Sequence, residues 1–105
     1  MRRLDTARRM AKYRFSRRAA TDLEAIAEYT IERFGIEQAR RYRNELRTCF
    51  AQLADNPRLG RRAEQLSTGL RRYEHRSHLI FYQVTGAQVL IVRVLHYRMD
   101  VTRHF

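Results

Sequence analysis

Four side chains in the second half of the chain are of the types that take part in RNA cleavage. His96 and Tyr97 are adjacent at the end of an apolar run, Arg93 lies within that run, and Arg71 precedes it. RNA cleavage requires a base for the 2′-hydroxyl proton, a cation for the charge that develops on the phosphate, and an acid for the leaving oxygen. His96 can be the acid or the base near neutral pH, and Tyr97 can stack or act as an acid. Either Arg93 or Arg71 can hold the phosphate. These four are therefore the candidate catalytic residues if the chain is a nuclease.

The apolar run also has a structural interpretation. Residues 88–96 are apolar at most positions, which is typical of a strand buried on both faces. A guanidinium inside such a strand is costly unless it is paired. In this interpretation Arg93 and His96 satisfy the edge of a sheet by bonding to loop carbonyls or to Asp100. The sequence leaves the catalytic and the structural interpretations open.

The chain is strongly basic. It has 22 Lys and Arg residues against 11 Asp and Glu residues, a net charge of +11 at pH 7, and Lys12 is its single lysine. This balance indicates a polyanionic partner, because arginine forks bind phosphates and carboxylates. The arginine-rich stretch after Pro57 predicts a surface that either follows a phosphate backbone or receives the acidic side chains of a protein. The candidate partner-binding residues are Arg58, Arg61, Arg62, Arg71, Arg72, Tyr73, Arg76 and Arg98.

Length and composition favour one globular domain. No run of apolar residues is long enough to span a membrane. A lone cysteine, Cys49, excludes a disulfide within the chain and fits the cytoplasm. Residues 1–11 are charged without an apolar period and predict a disordered basic tail, with Met10 as an alternative start, so residues 12–105 form the predicted domain. We expect no cofactor and no metal.

The spacing of apolar residues predicts one strand, two helices and three further strands. Residues 12–16 alternate like a short strand that ends in Ser16, a residue that can cap a helix. Gly35 is expected to end the first helix, and Asn56 before Pro57 the second. The first helix carries the predicted buried stripe Leu23, Ile26, Ala27, Ile31 and Phe34. The second carries Ala39, Tyr42, Leu46, Cys49 or Phe50, and Leu53.

The later strands complete an α+β fold. Residues 56–69 are predicted to be a long basic loop, followed by strands at about 70–74, 78–84 and 88–96. A tight hairpin at Thr85-Gly86-Ala87 joins the last two strands. The predicted order is β-α-α-β-β-β: an N-terminal strand, an antiparallel two-helix hairpin, and a three-stranded antiparallel sheet with the helices on one face.

These elements carry motifs that resemble a known family, the ParE branch of the RelE/ParE toxins of type II toxin–antitoxin systems. The resemblance covers residues 12–105 and is most specific in the Asn-Pro-x-x-Gly turn and the Leu-His-x-Arg-Met-Asp ending. The first motifs are Tyr13-x-Phe15-Ser16-x-x-Ala19, Asp22-Leu23-x-x-Ile26-x-x-Tyr29, Phe34-Gly35 and Ala39-x-x-Tyr42. The later ones are Leu53-Ala54-x-Asn56-Pro57-x-x-Gly60-Arg61, Arg71-x-Tyr73, Ile80-x-Tyr82 and Ile91-x-Arg93-x-Leu95-His96-x-Arg98-Met99-Asp100.

The resemblance implies a function and two partners. ParE-like proteins poison DNA gyrase by stabilising its cleaved-DNA complex, serve in plasmid stabilisation, and are neutralised by a ParD-like antitoxin in a hetero-oligomer. The antitoxin is expected in a groove bordered by the helical hairpin and the sheet, with apolar side chains near Leu23, Ile26 and Leu53 at the rim and its carboxylates on the arginine-rich surface. In this interpretation the chain has no catalytic activity of its own. The alternative is a RelE-like endoribonuclease that cleaves mRNA on the ribosome.

Overall fold

The computed structural model describes residues 12–105, so the predicted tail at 1–11 and the alternative start at Met10 lie outside the described residues. Within the described range no helix is long and apolar enough to cross a membrane. The predicted α+β class is confirmed. The elements are β1 Tyr13–Phe15, α1 Arg17–Phe34, α2 Ile36–Asp55, β2 Arg61–Arg62, β3 Arg71–His75, β4 His78–Thr85, β5 Gln88–His96 and a 3-10 helix Val101–His104.

Local sequence signals set the ends of both helices. Ser16 caps α1, because its Oγ accepts a hydrogen bond from the Ala19 N–H at 3.0 Å. Gly35 alone separates the helices and has a φ of 90°, a backbone conformation that favours glycine. Asn56, the residue before Pro57, ends α2. The predicted helical hairpin is therefore confirmed.

The strands form one five-stranded sheet in the order β1-β5-β4-β3-β2. The pairing of β3, β4 and β5 is antiparallel, as predicted. β1 pairs with β5 in parallel, from Tyr13 opposite Val89 to Phe15 opposite Ile91, so the sheet is mixed. The sequence prediction missed β2, a short strand inside the expected loop at 56–69 that pairs with β3. β1 covers only the first half of the outer edge of β5.

Both faces of the sheet are covered by apolar side chains. On the helical face, Phe50 and Leu53 of α2 join the same buried cluster as Tyr82 and Ile91. Burying a side chain of this size contributes about 1.5–3 kcal/mol. The opposite face is covered by the segment between β2 and β3 and by the C-terminal segment. Its buried cluster consists of Ala63, Leu70, Leu79, Phe81 and Leu95.

The apolar stripe of α1 is only partly buried. Leu23 and Ile26 pack against the helix-side core, but Ile31 is 43% exposed and Phe34 64% exposed. The prediction that the whole stripe faces the core is wrong for these two residues. Ile31 lies about 80° around the helix from Leu23, and Phe34 lines an open groove instead of the core.

A β-bulge in β5 determines where Arg93 lies. The register between β4 and β5 skips Val92. Because a bulge resets the alternation of side chains, Val94 shares the helix-side core with Ile91, and Arg93 does not. The bulge therefore turns the guanidinium away from the apolar core and toward the outer edge of the strand.

The Asn-Pro-x-x-Gly motif forms a turn that closes onto Tyr82. The Tyr82 hydroxyl donates a hydrogen bond to the Pro57 carbonyl at 2.8 Å and accepts one from the Gly60 N–H at 2.8 Å. A Cβ at Gly60 would collide with the Tyr82 hydroxyl and stand 2.6 Å from the Arg72 carbonyl oxygen. Glycine is therefore needed for this close approach, which leads the chain into β2.

Candidate functional site

Arg93 is paired with a carboxylate of α1. Its Nε donates to Asp22 Oδ2 at 2.8 Å and its Nη2 donates to Oδ1 at 2.9 Å, with the two side chains 11% and 12% exposed. Asp22 Oδ2 also accepts from the Val94 N–H at 2.9 Å, where β1 no longer covers the edge of β5. The hydrogen bond with Asp22 raises the pKa of Arg93. The partner is thus Asp22 and not the Asp100 suggested by the sequence, and the pair closes the strand edge.

His96 and Tyr97 lie together at the end of β5. Their rings stack with centroids 4.8 Å apart, and Tyr97 is 52% exposed. The Arg98 N–H donates to His96 Nδ1 at 3.1 Å, and Arg98 Nε donates to the Tyr97 hydroxyl at 3.1 Å. The Nδ1 atom of His96 is therefore already hydrogen-bonded to the backbone two residues further on.

A second histidine lies beside His96 in the sheet. His78 is opposite His96 in the register of β4 and β5, with ring centroids 5.5 Å apart. Its Nδ1 is hydrogen-bonded to the Tyr42 hydroxyl at 2.6 Å. Burial, then the nearby His96 and His75, lower the pKa of His78 from 6.5 to about 4, and burial raises the pKa of Tyr42 to about 12. Both partners of this hydrogen bond are thus uncharged at neutral pH.

Glu45 of α2 is bonded to two side chains at the β3–β4 turn. Arg76 Nε donates to Glu45 Oε1 at 2.7 Å, and His75 Nε2 lies 2.9 Å from the same oxygen. The hydrogen bonds from Arg76 and then His75 lower the pKa of Glu45. Arg76 has a φ of 52°, in the left-handed region that non-glycine residues seldom adopt. Arg76 therefore acts in the fold by fixing this turn.

An open groove lies between α1 and the ends of β4 and β5. Its volume is about 600 Å³ and its lining is mainly apolar. Three of its large apolar side chains are well exposed: Tyr29 at 57%, Phe34 at 64% and Met99 at 47%. His78 and His96 stand at the strand end of the groove. Such a surface is typical of a protein-binding site.

Of the three residues predicted at the rim of this groove, one has that position. Ile26 lines the groove, whereas Leu23 lines a separate cavity of about 170 Å³ between the two helices. Leu53 is 0% exposed within the core, so the prediction that it lies at the rim is wrong. Ile26 contributes to both spaces.

The predicted partner-binding residues do not form one surface. Arg76 and Arg98 lie near the histidine end of the sheet, and Tyr73 packs against the helix-side core. The remaining five lie around β2 and the start of β3, and they are Arg58, Arg61, Arg62, Arg71 and Arg72. We call these five residues the arginine edge. Within it, Arg71 donates to the Gly60 and Arg58 carbonyls, so its fork helps to hold the turn before β2.

The structure brings together only part of the predicted nuclease set. His96 and Tyr97 are in contact, and Arg93 is held by Asp22 at the strand edge. Arg71 is at the opposite end of β3 from His75, which neighbours His78 and His96, and so lies about 13 Å along the strand. Asp22, Tyr42 and His78 were not among the site residues predicted from the sequence, although Tyr42 was predicted on the buried stripe of the second helix. Two features of the sequence could have pointed to Asp22. It belongs to one of the family motifs, and Arg93, an arginine predicted to be buried, had no assigned partner.

No metal centre is evident among the described residues. Between positions 12 and 105, no three or more His, Cys, Asp or Glu side chains are grouped so that they could hold a metal ion. The histidines at the groove instead bond to Tyr42 and to the backbone N–H of Arg98.

The fold resembles that of a solved toxin–antitoxin protein. A chain in the structure described as "Chromosomal ParDE TA system from P. aeruginosa" superposes with a TM-score of 0.69 and 22% identity, over 81% of this chain and 94% of that chain. This likeness concerns the fold alone, and it places the molecule in the class of α+β domains in which a two-helix hairpin packs on one sheet.

Sequence comparison defines the family. The model of the "ParE toxin of type II toxin-antitoxin system, parDE" matches residues 13–101. Toxin ParE1 of Caulobacter vibrioides is 43% identical over 95 residues, which are 90% of this chain and 98% of that protein. Toxin ParE1 of Mycobacterium tuberculosis is 41% identical over 95 residues, 90% and 97% of the two chains. The chain therefore belongs to the ParE toxins of type II toxin–antitoxin systems, as its motifs predicted.

Proposed function

We propose that this ParE-family chain inhibits DNA gyrase by protein contact in the cytoplasm and is neutralised by a ParD-like antitoxin in a hetero-oligomer. The observation that carries the proposal is the open apolar groove beside α1 in a member of the ParE family. A binding surface of that kind suits a partner that covers it. The target and the antitoxin are inferred from the family.

The groove suits an amphipathic segment of the antitoxin. Tyr29 and Phe34 of α1 are large, exposed and directed into the same space. Aromatic side chains of this kind carry much of the binding free energy at protein interfaces. A helix laid in the groove or a strand added along it would bury them.

The geometry of the polar groups supports gyrase inhibition over RNA cleavage. A nuclease site needs its phosphate clamp within hydrogen-bond reach of its acid and base. Here the Arg93 fork is engaged by Asp22, and the Arg71 fork is engaged by turn carbonyls at the other end of β3 from the histidines. A protein that acts by contact does not need these groups to converge.

The test of the target uses purified gyrase, supercoiled plasmid and the toxin. We expect the toxin to trap gyrase on cleaved DNA. Linear plasmid should therefore appear once gyrase is denatured and digested with protease. In cells, induction without antitoxin should cause filamentation and DNA-damage signalling while bulk translation continues at first. Translation that collapses within minutes, with mRNA cut in the ribosomal A site, would refute the proposal and favour the RelE-like endoribonuclease.

The test of the groove compares two substitutions on α1. Phe34→Asp places a charge in the groove, whereas the control Ile31→Asp places one on a residue that is also exposed but does not line it. Removing a central aromatic contact costs about 2–4 kcal/mol of binding, so we expect Phe34→Asp to weaken the antitoxin complex by roughly 30-fold or more. The control should bind as the unsubstituted toxin does. Equal affinity of both variants would remove the groove from the interface.

A further inference from the structure

The outer edge of the sheet carries arginines that face one another. In the register of β2 and β3, Arg61 lies opposite Arg72, and Arg62 lies opposite Arg71. Side chains directly opposite in an antiparallel pair have Cβ atoms about 5 Å apart, and like charges at these positions are destabilising. The fold thus keeps two pairs of like charge opposite one another, at a cost in stability.

The charge of the arginine edge is not neutralised within the part of the chain that the structure describes. Among residues 12–105, no carboxylate lies within ion-pair distance of any of the five arginines, and the ion pairs found there involve other cations. Glu64 and Glu74, the acidic residues nearest in sequence, form none of these pairs. The cations that are paired are Lys12, Arg40, His75, Arg76, Arg93 and Arg103.

The arginine edge presents its charge from both faces of the sheet. Arg71 shares its face of β3 with Tyr73, which packs on the helix-side core. Arg72 shares the opposite face with Leu70, which belongs to the other buried cluster. Their β2 partners alternate in the same way, and both are exposed. A linear polyanion that runs along β2 would therefore meet forks from both sides.

The surroundings of these arginines favour a double-stranded nucleic acid. Binding of single strands relies on exposed aromatic rings on which bases stack. Near the arginine edge, Tyr82 belongs to the core and Tyr73 packs against it. Well-exposed rings occur instead on β1, on α1 and after β5. Contacts at this edge would thus go to the phosphate backbone, which arginine forks bind well.

We infer that the arginine edge binds the phosphate backbone of duplex DNA, without reading its sequence, as a surface separate from the groove. The choice of DNA over RNA rests on the proposed function, since gyrase acts on duplex DNA. The toxin would then contact the DNA segment that gyrase holds in addition to gyrase itself. Arg71 also closes the turn before β2, so the exposed pair on β2 is the part of this surface that can be altered without disturbing the fold.

The test measures binding of the full-length toxin to a fluorescein-labelled duplex of about 20 base pairs by anisotropy, without gyrase, across a range of salt concentrations. The variant is Arg61→Gln/Arg62→Gln. The control is Arg17→Gln/Arg18→Gln, an exposed adjacent pair at the start of α1, beside β1 and about 19 Å across the sheet. The net charge changes equally in both. Because like-charge pairs are relieved, the β2 variant should keep its melting temperature or gain slightly.

We expect the β2 variant to bind about 10-fold more weakly at moderate salt and the control to change less than 2-fold. The slope of log affinity against log salt is negative, and each lost phosphate contact reduces its magnitude by about 0.9, so the magnitude should fall by about 2. Duplexes of unrelated sequence should bind alike.

Equal losses in both variants would show a net-charge effect and overturn the inference, as would no loss in either. Tighter binding of single-stranded DNA or duplex RNA than of duplex DNA would overturn the choice of ligand. If the β2 variant instead loses affinity for poly-glutamate or the antitoxin and not for DNA, the surface is an acidic-protein site and the inference is wrong. None of these results depends on the gyrase cleavage test, which can succeed or fail separately.

Discussion

The pair of Asp22 and Arg93 permits a quantitative test of whether Arg93 has a structural role at the edge of β5. Asp22→Leu leaves a guanidinium that is 11% exposed without its carboxylate, and it also removes the acceptor of the Val94 N–H. Removing one member of a buried ion pair typically costs about 3–5 kcal/mol. Since a domain of this size has a total stability of about 5–15 kcal/mol, the loss is a large share of it. Arg93→Met should cost a similar amount, because it strands the carboxylate.

The double variant Asp22→Leu/Arg93→Met should be more stable than either single variant. An apolar pair of similar volume is often neutral or stabilising in place of a buried ion pair. The Val94 N–H still loses its partner, which costs about 1–3 kcal/mol. We therefore expect the double variant to lose about 1–3 kcal/mol, far less than the sum of the single losses.

The measurement is urea unfolding followed by far-UV circular dichroism, with unchanged slopes as evidence that only stability has changed. The control is the ion pair of Glu37 and Arg40, whose side chains are 76% and 61% exposed and lie 3.4 Å apart. The coupling energy of this exposed pair in the same double-variant comparison should be less than about 1 kcal/mol. If Asp22→Leu does not fold, Asp22→Asn keeps the shape and one acceptor and should cost about 1.5–3 kcal/mol. A double variant as unstable as the sum of the single ones would refute the assignment, as would a single loss below about 1 kcal/mol.

Three further expectations concern the turn, the histidines and the toxicity. Tyr82→Phe should lower the free energy of unfolding by about 1–3 kcal/mol in urea, because the Pro57 carbonyl and the Gly60 N–H lose a buried partner. As pH falls from 6.5 to about 4, the unfolded chain protonates at His78 while the folded site resists the proton. Stability is thus retained above this window and lost within it, with a slope of at most about 1.4 kcal/mol per pH unit that His78→Phe should remove. His96→Ala should reduce toxicity somewhat more than it reduces folded protein, because His96 also lines the groove; a fully stable and fully inactive variant would indicate an enzyme.

Features with a local cause could be predicted from the sequence. Ser16, Gly35 and Pro57 act through their own backbone or side chain within a few residues, so the helix boundaries followed from their types. The tight turn at Gly86 is of the same kind, with a φ of 63°. These signals, with the apolar periods, were sufficient for the α+β class, and the motifs were sufficient for the family.

Features that depend on distant partners could not be predicted. The partner of Arg93 is 71 residues away in the sequence, and a carboxylate on a helix looks like ordinary solvent-exposed surface. The bulge at Val92 reverses the faces of the residues that follow, and a two-residue strand such as β2 leaves no period to detect. The exposure of Phe34 depends on how α1 is placed against the rest of the fold, and the helical period of the sequence carries no information about that placement.

The positions of the groove and the arginine edge bear on how neutralisation can work. The groove lies at the ends of β4 and β5, and the exposed arginine pair on β2 lies two to three strands away, about 10–14 Å across the sheet. A single antitoxin segment in the groove would leave the arginines exposed unless it also crosses the sheet. On the proposed functions, an antitoxin segment confined to the groove would neutralise the toxin by blocking gyrase and not by masking the arginines. Substitutions in the arginine edge should then weaken DNA binding by the toxin without affecting its neutralisation by the antitoxin. Substitutions in the groove should have the opposite effect.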